Sequence, residues 1–183
     1  SKVSVLSLDL DRFKHVNDSM GHAAGDRLLK AAAARIQANV RESDTVARLG
    51  GDEFTVIIED ITDQPQAERV AAKLIEAFIA PLDIDGRHEV VISPSIGISI
   101  YPDHGQVPTD LLKFADTAMY MAKDKGRNTF QTYTEAMDAQ GGLYGDDRLM
   151  AVLERTSGSP QAIVDAVLAD VAAFVGGAPQ TDD

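Results

Sequence analysis

The sequence predicts an α+β fold, a sheet with helices packed on it, followed by a short helical appendage. Three observations predict it. β-Branched and Leu-rich segments come in hairpin-like pairs, amphipathic helical stretches alternate with them, and glycines at 141, 142 and 145 break the composition before two further helical stretches.

Residues 2–10, KVSVLSLDL, read as a buried strand that ends in acid. Residues 24–40 place Leu28, Leu29, Ala32, Ile36 and Val40 on one helical face. Residues 45–59 read as two strand segments around a Gly-Gly turn, a hairpin. Residues 64–79 return to the helical period through Ala67, Val70, Ala71, Leu74, Ile75 and Phe78. Residues 88–101 are β-branched and alternating, and Pro94 and Gly97 predict an irregular or edge position. Residues 109–123 are helical, with Leu111, Leu112, Ala115, Met119 and Ala122 inward, and 128–133 form a last short strand. Beyond the glycines come helices over 146–155 and 160–175, the second apolar at Ile163, Val164, Val167, Leu168, Val171, Phe174 and Val175. The division is a domain over 1–138 and a two-helix appendage over 139–183.

Composition narrows the chemistry. The chain has 183 residues, 44% hydrophobic, enough for a packed core. Lys plus Arg number 17 against 29 Asp plus Glu, a formal charge of −12, which argues against generic DNA, RNA or anionic-membrane binding. A phosphate ligand held by a few placed cations or by Mg²⁺ stays compatible with that charge. The absence of cysteine excludes disulfides, thiolate catalysis and Cys-based zinc sites. No apolar run approaches the roughly 18 residues of a membrane span, and no signal-peptide layout is present. The expected location is cytoplasmic.

Two features carry chemistry. Asp9-Leu10-Asp11 closes the first strand, and Gly50-Gly51-Asp52-Glu53 forms a hairpin tip. If the two strands are neighbours, two or three carboxylates converge at one sheet edge. Such an oxygen-rich site suits Mg²⁺, which takes few protein ligands plus substrate phosphates. Taken alone, Gly-Gly-Asp-Glu would be an ordinary polar turn.

The surroundings decide between these. RLGGDEF, preceded by SLDLDRFKHVNDSMGHAAGD and followed by AMYMAKDKGRN, resembles the GGDEF family, the diguanylate cyclases, over roughly residues 1–135. The resemblance implies condensation of two GTP into cyclic di-GMP and two pyrophosphates. It implies the palm-like α+β sheet of nucleotide cyclases and polymerases, Mg²⁺ (or Mn²⁺) as cofactor, and a homodimer in which each subunit presents one GTP. By position, Asp9, the Leu10 carbonyl, Asp52 and Glu53 match the metal ligands. Glu53 is also implied in activating the attacking 3′-hydroxyl. Gly50 and Gly51 shape the hairpin over the nucleotide. Asn17 and Asp26 match the pair that reads guanine, with an amide and a carboxylate complementary to its edge. Phe13 and Lys14 line the phosphate end with their backbone amides. Lys123 and Arg127 match the cations on the β- and γ-phosphates, and Arg48 supports the transition state. Arg41 and Asp44, in RESD, match the product-inhibition site, whose ligand would be a stacked dimer of cyclic di-GMP.

Two departures accompany the likeness. The family's D-x-L-T-x-L-x-N-R stretch and the helix ahead of the first strand are not in the sequence, so a bare sheet face and lost dimer control are expected. Residues 135–183 resemble the end of a PPM-type serine/threonine phosphatase, with Asp182 or Asp183 matching a metal carboxylate. None of that family's first acidic motifs is present, so phosphatase activity is not expected. Competing with catalysis are a GTP- or cyclic di-GMP-binding module without turnover, and a chimera whose terminal helix, 160–175, fills the place of the missing one.

Overall fold

The computed structural model describes residues 1–137, together with 161, 162, 164–166 and 169. The chain divides into two units, Ser1–Gly141 and Gly142–Asp183. The helix expected over 146–155, most of 160–175 and both terminal aspartates lie outside the described residues. The described positions between 161 and 169 are helical, and Val164 among them is 49% exposed.

In the first unit the elements run β1 (Lys2–Leu10), α1 (Phe13–Met20), α2 (His22–Asn39), β2 (Thr45–Gly50), β3 (Glu53–Ile61), α3 (Gln64–Ala77), β4 (Leu82–Asp83), β5 (Glu89–Val90), β6 (Pro94–Tyr101), α4 (Pro108–Asp124) and β7 (Phe130–Thr132). Five strands form one sheet in the order β2-β3-β1-β6-β7. Strand β1 is central and antiparallel to both β3 and β6, whereas β7 runs parallel to β6. Strands β4 and β5 form a separate two-stranded ribbon.

The alternation of β1 decides what each face holds. Leu6, Leu8 and Leu10 point one way and join Phe54, Val56, Ile96, Ile98 and Ile100 in a core closed by Leu28, Ile36, Ala71 and Leu74 of α2 and α3. Removing each such side chain from water contributes about 1.5–3 kcal/mol. Val5 points the other way, onto Leu111 and Ala115 of α4. Both faces therefore carry helices, which corrects the expectation of a bare one.

Helix α4 lies very close to the sheet because the strands beneath it carry small residues. Ser7 faces Gly97 across the β1–β6 ladder, and the Ser99 hydroxyl donates to the Leu111 carbonyl at 2.7 Å. A Cβ at Gly97 would fall 1.9 Å from the Ala115 carbonyl oxygen and 2.1 Å from the Met119 nitrogen. Gly97 thus marks a close helix approach and no sheet edge: β6 is flanked on both sides and buried up to Ile100. The stretch expected as one strand over 88–101 is two, β5 and β6, parted at 91–93 with Pro94 opening the second. Leu112, expected inward, is on the solvent side of α4.

Helix α3 is capped as its sequence suggests. The Asp63 carboxylate accepts from the Gln66 backbone N–H at 3.0 Å, and Pro65 sits in the first turn. Helix α1 was not expected: Asn17-Asp18 alone reads as a turn or a helix cap, and only Phe13 of its eight residues is buried. Gly21, at φ 82°, closes α1 and opens α2.

Candidate active site

The antiparallel register places Asp9 opposite Glu53, and the Leu10 N–H donates to the Asp52 carbonyl at 3.4 Å. The end of β1 and the β2–β3 hairpin are therefore in direct contact, as the metal-site expectation requires. The hairpin turns through two residues, Gly51 and Asp52, between paired Gly50 and Glu53. Gly51 has φ 49°, a left-handed conformation that a side chain would resist. The Arg48 Nε–H donates to the Gly51 carbonyl at 2.8 Å. Arg48 braces the turn from outside, with its side chain on the solvent side.

Asp9 is the buried acid of the group, 6% exposed. Burial pushes its carboxyl above the usual carboxylate value, and the charges of Asp52 and Asp11 push the same way. The Lys123 ammonium opposes them, 2.9 Å from Asp9 Oδ2. A desolvated carboxylate holding a cation, with a half-buried Asp52 and the exposed Glu53 beside it, is a hard-oxygen donor set that fits Mg²⁺ or Mn²⁺. Among the described residues no three acidic or imidazole groups cluster tightly enough to cage a metal by themselves. The three acids of the expected set, Asp9, Asp52 and Glu53, are therefore not drawn into one cage, and a cation among them would need phosphate and water to complete its shell.

Asp11, the other acid at the end of β1, is engaged elsewhere. Its Oδ1 accepts from the Ser95 hydroxyl at 2.6 Å, and its Oδ2 accepts from the Ser93 hydroxyl at 2.6 Å and the Asn128 N–H at 3.1 Å. These bonds commit it to two other chain segments, 93–95 and the turn at Asn128.

Lys123 stands in the last turn of α4, paired with Asp9 rather than turned to an open phosphate site. Arg127 follows in a tight turn. Gly126, Arg127 and Asn128 take φ 110°, 64° and 49°, three left-handed residues in a row. For a side-chain-bearing residue that conformation costs about 1–2 kcal/mol, somewhat less for asparagine.

Phe13 and Lys14 open α1, whose N-cap Arg12 is left-handed at φ 60° and offers no side-chain cap. The first N–H groups of a helix lack intrahelical acceptors and favour an anion. Asn17 lies against a residue the sequence reading missed, Gly25, the neighbour of Asp26 in α2. A Cβ at Gly25 would fall 1.9 Å from Asn17 Oδ1 and 3.1 Å from Phe13, so α1 lies directly on glycine. A glycine inside an otherwise good helical pattern was the available signal.

The RESD turn is separate. Asp44 is buried, its Oδ2 accepts from the Arg41 N–H at 2.8 Å, and its own N–H donates to the Arg41 carbonyl at 3.0 Å. Asp44 Oδ1 is buried without a hydrogen-bond partner, and Arg41 is exposed above it. A cleft of about 630 Å³ is lined by Asp11, Arg12, His15, Phe78, Val91 and Arg127 among others. Of the residues expected at the nucleotide it includes Arg127 and none of Asp9, Asp52, Asn17 and Asp26. Among the described residues no helix is long and apolar enough to cross a membrane.

Comparison with known proteins agrees with this geometry. Residues 1–129 match the family described as "Diguanylate cyclase, GGDEF domain". The chain is 50% identical over 138 residues to the bifunctional diguanylate cyclase/cyclic di-GMP phosphodiesterase MucR of Pseudomonas aeruginosa, covering 75% of this chain and 20% of MucR. The crystal structure of the GGDEF domain of TpbB from the same organism superposes with a TM-score of 0.71 at 44% identity, covering 73% of this chain and 83% of that one. The GGDEF domain of DgcB from Caulobacter crescentus, solved in complex with c-di-GMP, superposes with a TM-score of 0.61 at 28% identity, covering 72% and 77%. The chain spans less than a third of the curated full-length relatives, MucR and the diguanylate cyclase TpbB. A matched family over most of the chain, the palm-like α+β sheet and the carboxylate–hairpin contact lead to one conclusion: the chain belongs to the GGDEF family of diguanylate cyclase domains.

Proposed function

We propose that this domain condenses two GTP into cyclic di-GMP and two pyrophosphates. The observation that carries the reading is the pairing of buried Asp9 with Lys123, set against the Gly-Gly-Asp-Glu hairpin. It joins a metal-type carboxylate and a phosphate-type cation within one hydrogen bond.

Asp9, the Leu10 carbonyl, Asp52 and Glu53 hold the cation in this reading. Divalent-metal dependence is general among GGDEF cyclases, and Mg²⁺ (or Mn²⁺), when bound, would lower the 3′-hydroxyl pKa and neutralise charge on the α-phosphate. Asn17 and Asp26 orient guanine across the α1–α2 contact, Asn17 donating and Asp26 accepting. The open amides of Phe13 and Lys14 receive phosphate oxygens. Gly50 and Gly51 let the hairpin backbone approach the nucleotide. Lys123 and Arg127 take the β- and γ-phosphates, Lys123 exchanging the Asp9 carboxylate for phosphate. Each 3′-hydroxyl attacks the α-phosphorus of the other GTP, its proton passes to Glu53, and pyrophosphate leaves. Arg48 fixes the turn that carries Asp52. One domain binds one GTP in this scheme, so ring closure requires a homodimer.

The Arg41–Asp44 turn supports a second, regulatory site for cyclic di-GMP. Asp44 Oδ1 is a buried acceptor without a donor, which a guanine N–H would satisfy, and Arg41 offers a bidentate fork to O6/N7 or phosphate. The same turn is what favours the other reading, a binding module without turnover. For residues 139–183 the likeness to a PPM-type phosphatase terminus supplies one carboxylate pair without partners, and no activity is assigned to it.

The test is incubation with GTP and Mg²⁺, followed by chromatography for cyclic di-GMP and a pyrophosphate assay. Product at a rate that rises with dimer content supports the cyclase. Calorimetric binding of GTP or cyclic di-GMP without pyrophosphate release establishes the binding module instead.

A further inference from the structure

We infer that Asp11 is a positioning residue of this site, one that sets the Arg127 turn for the β- and γ-phosphates. The inference rests on the reading of Arg127 as a phosphate cation and extends it to a residue that neither the family likeness nor the metal-site expectation places there. Asp11 is 6% exposed, and its bonds tie the end of β1 to the start of β6 and to the turn after α4. Its N–H donates to the Ser93 carbonyl at 2.8 Å, and its carboxylate accepts from the Ser93 and Ser95 hydroxyls at 2.6 Å each. The remaining acceptance, from the Asn128 N–H at 3.1 Å, reaches the turn that carries Arg127.

That turn needs an external anchor. Gly126, Arg127 and Asn128 all have positive φ, a run that side-chain-bearing residues leave unless the surroundings hold them. Two bonds come from the preceding helix: Gly126 N–H to the Lys123 carbonyl and Arg127 N–H to the Ala122 carbonyl, each 3.2 Å. The bond to Asn128 ties the far side to another part of the fold, two residues after the metal-type carboxylate Asp9. The same short stretch, Asp9-Leu10-Asp11, thus addresses the metal with its first acid and the phosphate-cation turn with its second. Through Asp11 the distance between the two halves of a triphosphate site is built into the backbone of β1. The carboxylate never touches the substrate; it acts through the backbone of Asn128 and hence on where the Arg127 guanidinium reaches.

The experiment compares Asp11→Ala, Asp11→Asn, Arg127→Ala and the Asp11→Ala/Arg127→Ala double variant in the full chain. Dissociation constants for GTP and for GMP, which lacks the β- and γ-phosphates, are measured beside the melting temperature. Arg127→Ala is expected to weaken GTP about tenfold and to leave GMP within about twofold, the loss of one charge-assisted phosphate contact. Asp11→Ala is expected to weaken GTP about three- to tenfold with the same indifference to GMP, and the double variant to be no weaker than Arg127→Ala by more than about twofold. Asp11→Asn is expected to restore GTP binding. Its carbonyl oxygen can accept from Asn128 and Ser93 while its amide donates to a turned Ser95 hydroxyl. Unchanged GTP affinity in Asp11→Ala, equal losses for GTP and GMP, or additive losses in the double variant would each overturn the inference. If Arg127→Ala itself leaves GTP binding unchanged, the phosphate role of Arg127 fails and the inference falls with it, a result distinct from failure at Asp11 alone. Should Asp11→Ala not fold, Asp11→Ser, too short to reach Asn128, carries the same expectations.

Discussion

Asp52 sits half-buried on a two-residue turn, and its side chain supports no core contact. Asp52→Ala is therefore expected to abolish cyclic di-GMP formation while the melting temperature stays within about 2 °C, as for other surface changes. Turnover near the parent rate would refute its place in the metal set. Gly25 lies under Asn17, so Gly25→Ala pushes the amide away. Alanine is the better helix former by about 1 kcal/mol, and the expected outcome is a fold of parent-like stability whose KM for GTP rises severalfold. A parent-like KM would mean that Asn17 does not read guanine. His104, assigned no role from the sequence, is a structural residue: its Nδ1 accepts from the Ile100 N–H at 3.0 Å and its ring meets Tyr133 edge-on. Burial lowers its pKa from 6.5, only partly opposed by Asp103. The folded chain then binds this proton less tightly than the unfolded chain, so stability is lost as pH falls below about 6.5. Melting at pH 7.5 and 5.5 should show a larger acid loss in the parent than in His104→Gln; equal losses would remove the argument.

Among elements, α4 connects stability to chemistry most directly. It presses on Gly97 and Ser99 at one point and delivers Lys123 to Asp9 at another. Gly97→Ala places a methyl group into α4 backbone that cannot turn aside, and about 2–3 kcal/mol of destabilisation is expected. The melting temperature and GTP affinity should fall together, because lifting α4 also moves Lys123. A melting temperature unchanged by this substitution would show that the helix is not so tightly seated. The element the sequence hid, α1, was hidden for a physical reason. Phe13, Val16 and Met20 do recur at helical spacing, but over only eight residues, and Asn17-Asp18 in their midst offers side-chain hydrogen bonds typical of turns. The stretch over 88–101 misled for the opposite reason. Proline and glycine signal irregularity in either case, and only the neighbouring helix shows that Gly97 answers a close approach.

At the scale of the whole molecule, the proposed chemistry is bimolecular in protein. One domain presents one GTP, so specific activity is expected to fall on dilution, with the rate approaching second order in protein at low concentration. Activity independent of concentration would contradict the paired-subunit scheme. Product control is expected to be separable from turnover, because the Arg41–Asp44 turn lies outside the carboxylate–hairpin contact. Arg41→Ala keeps the backbone turn that Asp44 caps and removes only the guanidinium. It should weaken cyclic di-GMP binding about tenfold or more while the initial rate holds. Undiminished cyclic di-GMP binding would reduce RESD to a loop.

The sequence by itself determined the order of the main strands and helices, the hairpin at Gly50-Gly51 and the family. These depend on local signals: alternation, helical period, turn residues and contiguous motifs. It also placed Asp9, Asp52 and Glu53 as candidates, because acids at strand ends and hairpin tips are legible in one dimension. Only the tertiary structure decided which acids share a site and which do not. Asp9 and Asp11 are chemically alike and two residues apart, yet one pairs with Lys123 and the other with Ser93, Ser95 and Asn128. The difference arises from partners more than eighty residues away in the chain. Gly25 was unread and Gly97 misread for the same reason: a missing side chain has meaning only against the atoms that press on it.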